Sequence, residues 1–243
     1  MKVVIIVQAR MTSTRLPGKI LKTALGKPLL EYQIERLQRV TSIDDIIIAT
    51  TNKATDDVII DLCDRLDINV FRGDEHDVLS RYYGAAQQSF ADVIVRVTSD
   101  CPLIDPVIID SVINFYVNYH PQYDYVANCL ERTFPRGMDT EVFSIKALKN
   151  AHTHASKLME REHVTPYITR NPGLFTCANI AHEKDASHHR WTVDTPEDFE
   201  LIQNILEGIY PHNPYFTMQD ILNFLAEHPT LFFINAHVEQ KHV

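Results

Sequence analysis

No stretch of this sequence has the form of a secretory leader or a membrane span, because the apolar opening at residues 3–7 is broken at once by Gln8 and Arg10. The expectation is a protein that stays in the cytoplasm. An excess of basic charge is missing too. Lysine and arginine number 23 against 32 aspartates and glutamates, a formal net charge of −9. That balance argues against a general nucleic-acid binder, which must neutralise phosphates over a broad face. The four cysteines, Cys63, Cys101, Cys129 and Cys177, lie far apart with no paired ligand spacing. Reduced thiols packed in the structure are expected, rather than a zinc site or a disulfide framework. The glycines of two familiar phosphate loops are also lacking. Ser13 stands five residues before Gly18, where a Walker loop needs glycine, and Ile20 follows Lys19, where it needs Ser or Thr. The dinucleotide glycine fingerprint does not occur either.

What is present is a 243-residue chain, 45% hydrophobic and 23% charged, long enough to bury one substantial core. Its first two-thirds alternate short β-branched runs with helix-period segments, the pattern of a largely parallel α/β sheet covered on both faces. Strands are expected at residues 3–7, 46–50, 69–72 and 93–97, the last of them central. A helix follows Pro28, with Leu30, Ile34, Leu37 and Val40 as its apolar stripe. Thr55 is a candidate cap for a helix carrying Val58, Ile59, Leu62 and Leu66. Further helices are predicted at 77–89 and after Pro106. From about 123 to 180 the rhythm loosens into short strands near 125–128, 141–143 and 175–180 around helices near 145–155 and 160–170, read as an inserted appendage. Residues 191–193 read as a strand returning to the sheet, followed by helices opened by Pro196 and at about 217–228. No repeat or long linker divides the chain, so residues 1–243 are read as a single domain.

The segment from Gln8 to Lys19 leaves the first strand and enters a helix, the place where α/β folds bind nucleotides. It carries the hydroxyls of Thr12, Ser13 and Thr14 and three cations, Arg10, Arg15 and Lys19. Fork-like arginines and a point-charge lysine suit a triphosphate; a solvated surface loop is the alternative. Asp100 and Asp194 each follow an apolar strand. If those strands are near neighbours, both carboxylates meet at one sheet edge, an adequate pair for magnesium beside phosphates and water. As alternatives, Asp100 caps a turn before Pro102 and Asp194 caps the helix opened by Pro196. Asp198 reads as first-turn charge and Asp105 as a cap. The pairs His152/His154 and His188/His189 lack an acidic partner motif and read as surface residues.

Taken in order, Ser13-Thr14-Arg15-Leu16-Pro17-Gly18-Lys19, Ser99-Asp100-Cys101-Pro102 and Val193-Asp194-Thr195-Pro196-Glu197-Asp198 resemble the sugar-acid cytidylyltransferase family. The first loop is similar to that of CMP-Kdo synthetases. The whole chain is more similar to the SpsF-type polysaccharide-biosynthesis branch, with Arg161-Glu162-His163-Val164-Thr165-Pro166-Tyr167 as a further marker. This resemblance implies a GT-A/Rossmann-like nucleotide-diphosphosugar transferase fold with a dimerisation arm, hence a homodimer. It also implies CTP and a sugar or sugar acid as substrates, and Mg2+ held by Asp100 and Asp194. It makes Ala9, Arg10, Met11, Thr12, Ser13, Arg15, Lys19 and Ser99 nucleotide-site candidates, with Arg10, Lys19 and Asp100 in catalysis. The region holding Arg72, Gly73 and Arg81 is where related enzymes read the base; a glycine turn with helix caps is the alternative. Arg136, Asp139 and Glu141 match the acceptor-lining segment, with Arg161 and His163 of similar standing. Two other readings stay open: a GT-A-type glycosyltransferase, although no closely spaced Asp-x-Asp is present, and a catalytically silent nucleotide-binding scaffold.

Overall fold

The computed structural model describes residues 1–239, so the last four residues of the expected domain lie outside it. A seven-stranded sheet forms the centre. In chain order its strands are β1 (Val3–Gln8), β4 (Asp45–Thr51), β5 (Asn69–Gly73), β6 (Val93–Thr98), β7 (Tyr125–Ala127), β8 (Glu141–Ser144) and β9 (Cys177–Asn179). The short strands β2 (Thr23–Ala24) and β3 (Lys27–Pro28) pair only with each other. Across the sheet the order is β5-β4-β1-β6-β8-β7-β9. Only β8 runs against the rest.

Both faces are covered at the middle of the sheet, which is why β1 and the centre of β4 are continuous apolar runs instead of alternating. Ile5 and Val7 face a core built with α1 (Leu29–Leu37), α2 (Asp57–Arg65) and α4 (Pro106–Asn118). Val4 and Ile6 face a second core with α3 (Val78–Gln88) and α5 (Ile145–His154). A third core around Trp191 packs α8 (Pro196–Ile209) and α9 (Met218–Glu227) beside α1. The chain leaves β1 toward β4 on one side, while β6 lies on the other. Gln8 pairs with Thr98 at the carboxyl ends of these two strands. The crevice beyond such a switch point is where open α/β sheets bind ligands.

Several local expectations need correction. Ahead of α2 the chain makes a 3-10 turn over Ala54–Asp56, so Asp56, not Thr55, stands at the helix start. Val58 is 44% exposed because the buried stripe is Ile59, Leu62 and Cys63. The helix expected over 160–170 is two short ones, α6 (Leu158–His163) and α7 (Pro166–Thr169). Val164 separates them at φ 73, and Pro166 starts afresh as the first residue of α7. The short strands expected within 123–180, β7, β8 and β9, belong to the main sheet.

Residues 191–193 do not rejoin the sheet. They run extended, with the Trp191 N–H donating to the Arg136 carbonyl at 2.8 Å and the Val193 N–H to the Asp100 carbonyl at 2.8 Å. One parallel bridge, Arg136 with Arg190, aligns the two segments. Gly137 makes this approach possible. Its φ is +102°, and a Cβ there would lie 2.6 Å from the Trp191 carbonyl oxygen. Gly137→Ala therefore combines left-handed strain with a backbone clash and should cost about 3 kcal/mol, roughly 6–12 °C in Tm. Thermal unfolding checks this; an unchanged Tm would show that the Gly137 approach carries no such constraint.

Candidate active site

A cleft of about 720 Å3 opens beyond the carboxyl ends of β1 and β6. Its first wall is the loop after β1. The Gly18 N–H donates to the Met11 carbonyl at 2.9 Å, closing the loop, and Gly18 adopts φ 69. Two carboxylates anchor this loop from outside the cleft. Buried Asp56 accepts the Met11 N–H at 2.9 Å and the Thr51 hydroxyl at 2.5 Å. Glu75 accepts the Thr12 hydroxyl and pairs with Lys53 and, at 3.8 Å, with Arg10. Hydrogen bonds from Lys53 and then Thr12 hold the Glu75 carboxyl at about 2. Thus Met11 and Thr12 secure the loop, while Ala9, Arg10, Ser13, Thr14, Arg15 and Lys19 line the cleft.

Lys19 is the electrostatic centre. Its Nζ donates to Asp100 Oδ2 at 3.0 Å and to Asp194 Oδ1 at 2.8 Å. Arg15 reaches Asp194 at 2.8 Å and Arg190 reaches it at 3.0 Å. Burial works against charge at Asp100, but the Lys19 ammonium and the bonds from Thr98 and Lys19 outweigh it and hold the carboxyl at about 2. Burial likewise opposes the Lys19 ammonium, and Asp100 followed by Asp194 raises its pKa regardless. Asp100 and Lys19 are both charged at neutral pH. The capping alternative for Asp194 falls away, since Thr195 is the N-cap of α8 and shares a capping box with Asp198. Asp198 does more than complement the helix dipole: fully buried, it accepts Arg190 Nε at 2.8 Å and the Asn235 amide at 2.8 Å. Asp105 is a cap as expected, accepting the Val107 N–H at 2.9 Å.

Two carboxylates that share one ammonium can share one cation, and their oxygens are the hard donors magnesium takes alongside phosphates and water. Among the described residues no cluster of three or more acidic, His or Cys side chains could hold a metal by itself. Asp100 and Asp194 supply two carboxylate donors of the kind a magnesium ion takes when phosphates and water complete its shell.

The second wall comes from α3 and from the α6–α7 elbow. Arg81 is 1% exposed, and its Nε and Nη1 have no hydrogen-bond partner. Gly73 leaves room for it, since a Cβ there would sit 2.7 Å from Arg81 Cγ. Glu162, His163, Thr165, Asp139 and Glu141 line the far end. The Glu141 carboxylate is engaged within the protein by Arg96, by the Tyr125 hydroxyl at 2.6 Å and by the Thr165 hydroxyl at 2.7 Å. Asp139 is held by Arg132, with one bond at 2.9 Å.

Three predicted residues lie elsewhere. Arg72 binds Asp57 and the carbonyls of Thr51 and Lys53. Arg136 lines a separate pocket of about 160 Å3 with His188 and His189. Arg161 clasps Asp77 and Ser80 of the α3 start and the His152 carbonyl. Sequence reasoning missed Arg96, Thr98, Glu162 and Thr165 as cleft residues, and Asp56, Glu75 and Arg190 as anchors. No spacing signal marked Arg96, Thr165 or Glu75, because their partners are distant in the chain; Arg190 lies only four and eight residues before Asp194 and Asp198.

A cytidylyltransferase family profile matches residues 4–227. The spore coat polysaccharide biosynthesis protein SpsF of Bacillus subtilis is 32% identical over 234 residues, covering 93% of this chain and 95% of that protein. A cytidylyltransferase structure from Leptospira borgpetersenii superposes with a TM-score of 0.92 at 32% identity over all of both chains. A CMP:2-keto-3-deoxy-manno-octonic acid synthetase complexed with CTP shares the fold, with a TM-score of 0.66 at 18% identity over 86% of this chain and 99% of that one. The chain belongs to the cytidylyltransferase family and is a nucleotidyltransferase. Within that family it is similar to the SpsF-type branch along nearly its full length.

The buried, unpartnered guanidinium generates a stability prediction. Arg81→Met keeps the bulk and removes donors that lack partners, so the protein without ligand should gain about 1–3 kcal/mol. Scanning calorimetry should show a higher Tm; a lower one would mean that Arg81 has compensating contacts.

Proposed function

We propose that this protein transfers CMP from CTP to a hydroxyl of a sugar, a sugar acid in particular, with release of pyrophosphate, for surface polysaccharide or glycoconjugate synthesis. One observation carries the reading. A basic loop and two carboxylates from distant parts of the chain converge on Lys19, in a cleft whose opposite wall presents the unpartnered Arg81. The family profile, the SpsF relative and the CTP-complexed synthetase of the same fold support the choice of cytidine nucleotide and sugar.

In this reading Arg10, Arg15 and Lys19 turn from carboxylates to the triphosphate oxygens, which are stronger partners for charge-assisted bonds. Ala9, Ser13 and Ser99 border the same path, and Arg81 donates to the nucleotide. Asp139, Glu162 and His163 face the acceptor. Burial lowers the His163 pKa, so its ring is neutral at pH 7 and able to accept from a sugar hydroxyl. Asp100 and Asp194 would hold magnesium, whose chemistry when bound is to neutralise the charge spread over the transferring phosphates. As one of the two carboxylates that would hold the metal, Asp100 acts by charge and orientation rather than by taking the acceptor proton. The chain's own contribution is alignment of an in-line attack at the α-phosphorus and stabilisation of the departing pyrophosphate.

Asp100→Asn and Asp194→Asn each remove a charge at nearly constant shape, and each should lower pyrophosphate release from CTP, Mg2+ and a panel of sugar acids by roughly two orders of magnitude or more. Near-normal release by both would reject the mechanism. Arg81→Met should weaken the rise in Tm given by CTP, and wild type should respond to CTP more than to ATP or GTP. A cytoplasmic homodimer completes the reading. Exposed Leu130, Leu158 and Leu174 lie in the stretch 123–180 that would supply the contact, and light scattering should give a dimer mass; a fully active monomer would remove this element.

A further inference from the structure

We propose that Lys19 is a placeholder that keeps the Asp100–Asp194 pair closed to a divalent cation until a nucleoside triphosphate draws it away. The inference rests on the nucleotide reading above and assigns an order to it: the metal enters with the triphosphate or after it, and not before.

The geometry is specific. One ammonium bonds both carboxylates, at 3.0 and 2.8 Å, with its side chain only 11% exposed. It stands where a cation shared by those oxygens would stand. The surrounding charges are already balanced: the three carboxylates Asp100, Asp194 and Asp198 face the three cations Lys19, Arg15 and Arg190. A divalent ion entering this set meets Lys19 at close range in a partly dehydrated site, where like charges repel more strongly than in water. It gains no uncompensated negative charge in return.

A triphosphate changes the sum. Lys19 and Arg15 belong to the loop lining the cleft and can turn to phosphate oxygens. Arg190 cannot follow, because Asp198, fully buried, holds its Nε and Nη2 at 2.8 and 3.0 Å. The three carboxylates then keep one cation, leaving two net negative charges for a divalent ion. Lys19 thus serves twice, as phosphate ligand and as gate.

Mn2+ is the probe, because the hexaaqua ion's electron paramagnetic resonance signal falls on binding. Without nucleotide, wild type should leave Mn2+ free at concentrations where Lys19→Met binds about one equivalent, an affinity gain of roughly tenfold or more. Lys19→Gln, which retains hydrogen-bonding capacity, should gain likewise and guards against a misfolded Met variant. Adding Asp194→Asn to Lys19→Met should abolish the gain, placing the ion at this pair. Equal Mn2+ binding by wild type and both Lys19 variants overturns the proposal, as does a gain that survives Asp194→Asn. The rise in Tm of wild type with CTP is measured on the same samples. Its absence would reject the nucleotide reading, while the Mn2+ comparison still decides whether Lys19 closes the carboxylate pair.

Discussion

The ammonium of Lys19 between Asp100 and Asp194 ties together segments 81 and 175 residues apart in the chain. None of the three would hold its charge at little cost if left unpaired, since removing an ion from water without a partner is expensive. Their mutual placement follows from the register of the sheet. With Gln8 beside Thr98 on parallel neighbours, the loop after β1 and the turn after β6 must emerge side by side. Once those two are adjacent, the cleft has an edge, and the remaining question is how Asp194 reaches it without a strand.

It does so through a braced extended segment. The Arg136–Arg190 bridge and the Val193 N–H on the Asp100 carbonyl set the path, and Gly137 admits the close backbone approach. Arg190 then joins Asp194 to buried Asp198, and the Asn235 amide bonds both Asp198 and the Arg190 carbonyl. The capping box of Thr195 and Asp198 starts α8 two residues after Asp194, which leaves the Asp194 carboxylate for the cleft.

The opposite wall is organised by similar long-range clasps. Arg161 fastens α6 to the N-terminus of α3, one turn from Arg81. Glu141 gathers Arg96, Tyr125 and Thr165 beneath the elbow. Between them Val164 is held at φ 73, a conformation that costs a β-branched residue about 1–3 kcal/mol and persists only where surrounding bonds over-determine it. The elbow presents Glu162, His163 and Thr165 to the cleft. Side chains of this wall are thus positioned by bonds among α3, the elbow and the strands beneath it.

Much of this was legible in the chain itself. Apolar β-branched runs are dictated by two-sided burial, so β1, β4, β5 and β6 could be located from residue type alone. Thr12 to Lys19, Asp100 and Asp194 were marked by type and by position after such runs. Weakly patterned strands of three or four residues between 123 and 180 could not be assigned to the main sheet, because short segments take their conformation from neighbours. Local spacing misassigned 191–193 for the same reason: an extended chain looks alike whether or not a sheet receives it. It likewise could not distinguish Arg81, buried without partners, from Arg161, consumed by Asp77, since both are arginines near helix starts. The sequence by itself determined the α/β core and the inventory of charges, through periodicity and residue chemistry. Only the tertiary structure decided which charges meet, because Lys19, Asp100 and Asp194 become neighbours solely through the order of strands and the braced path of the chain around Gly137.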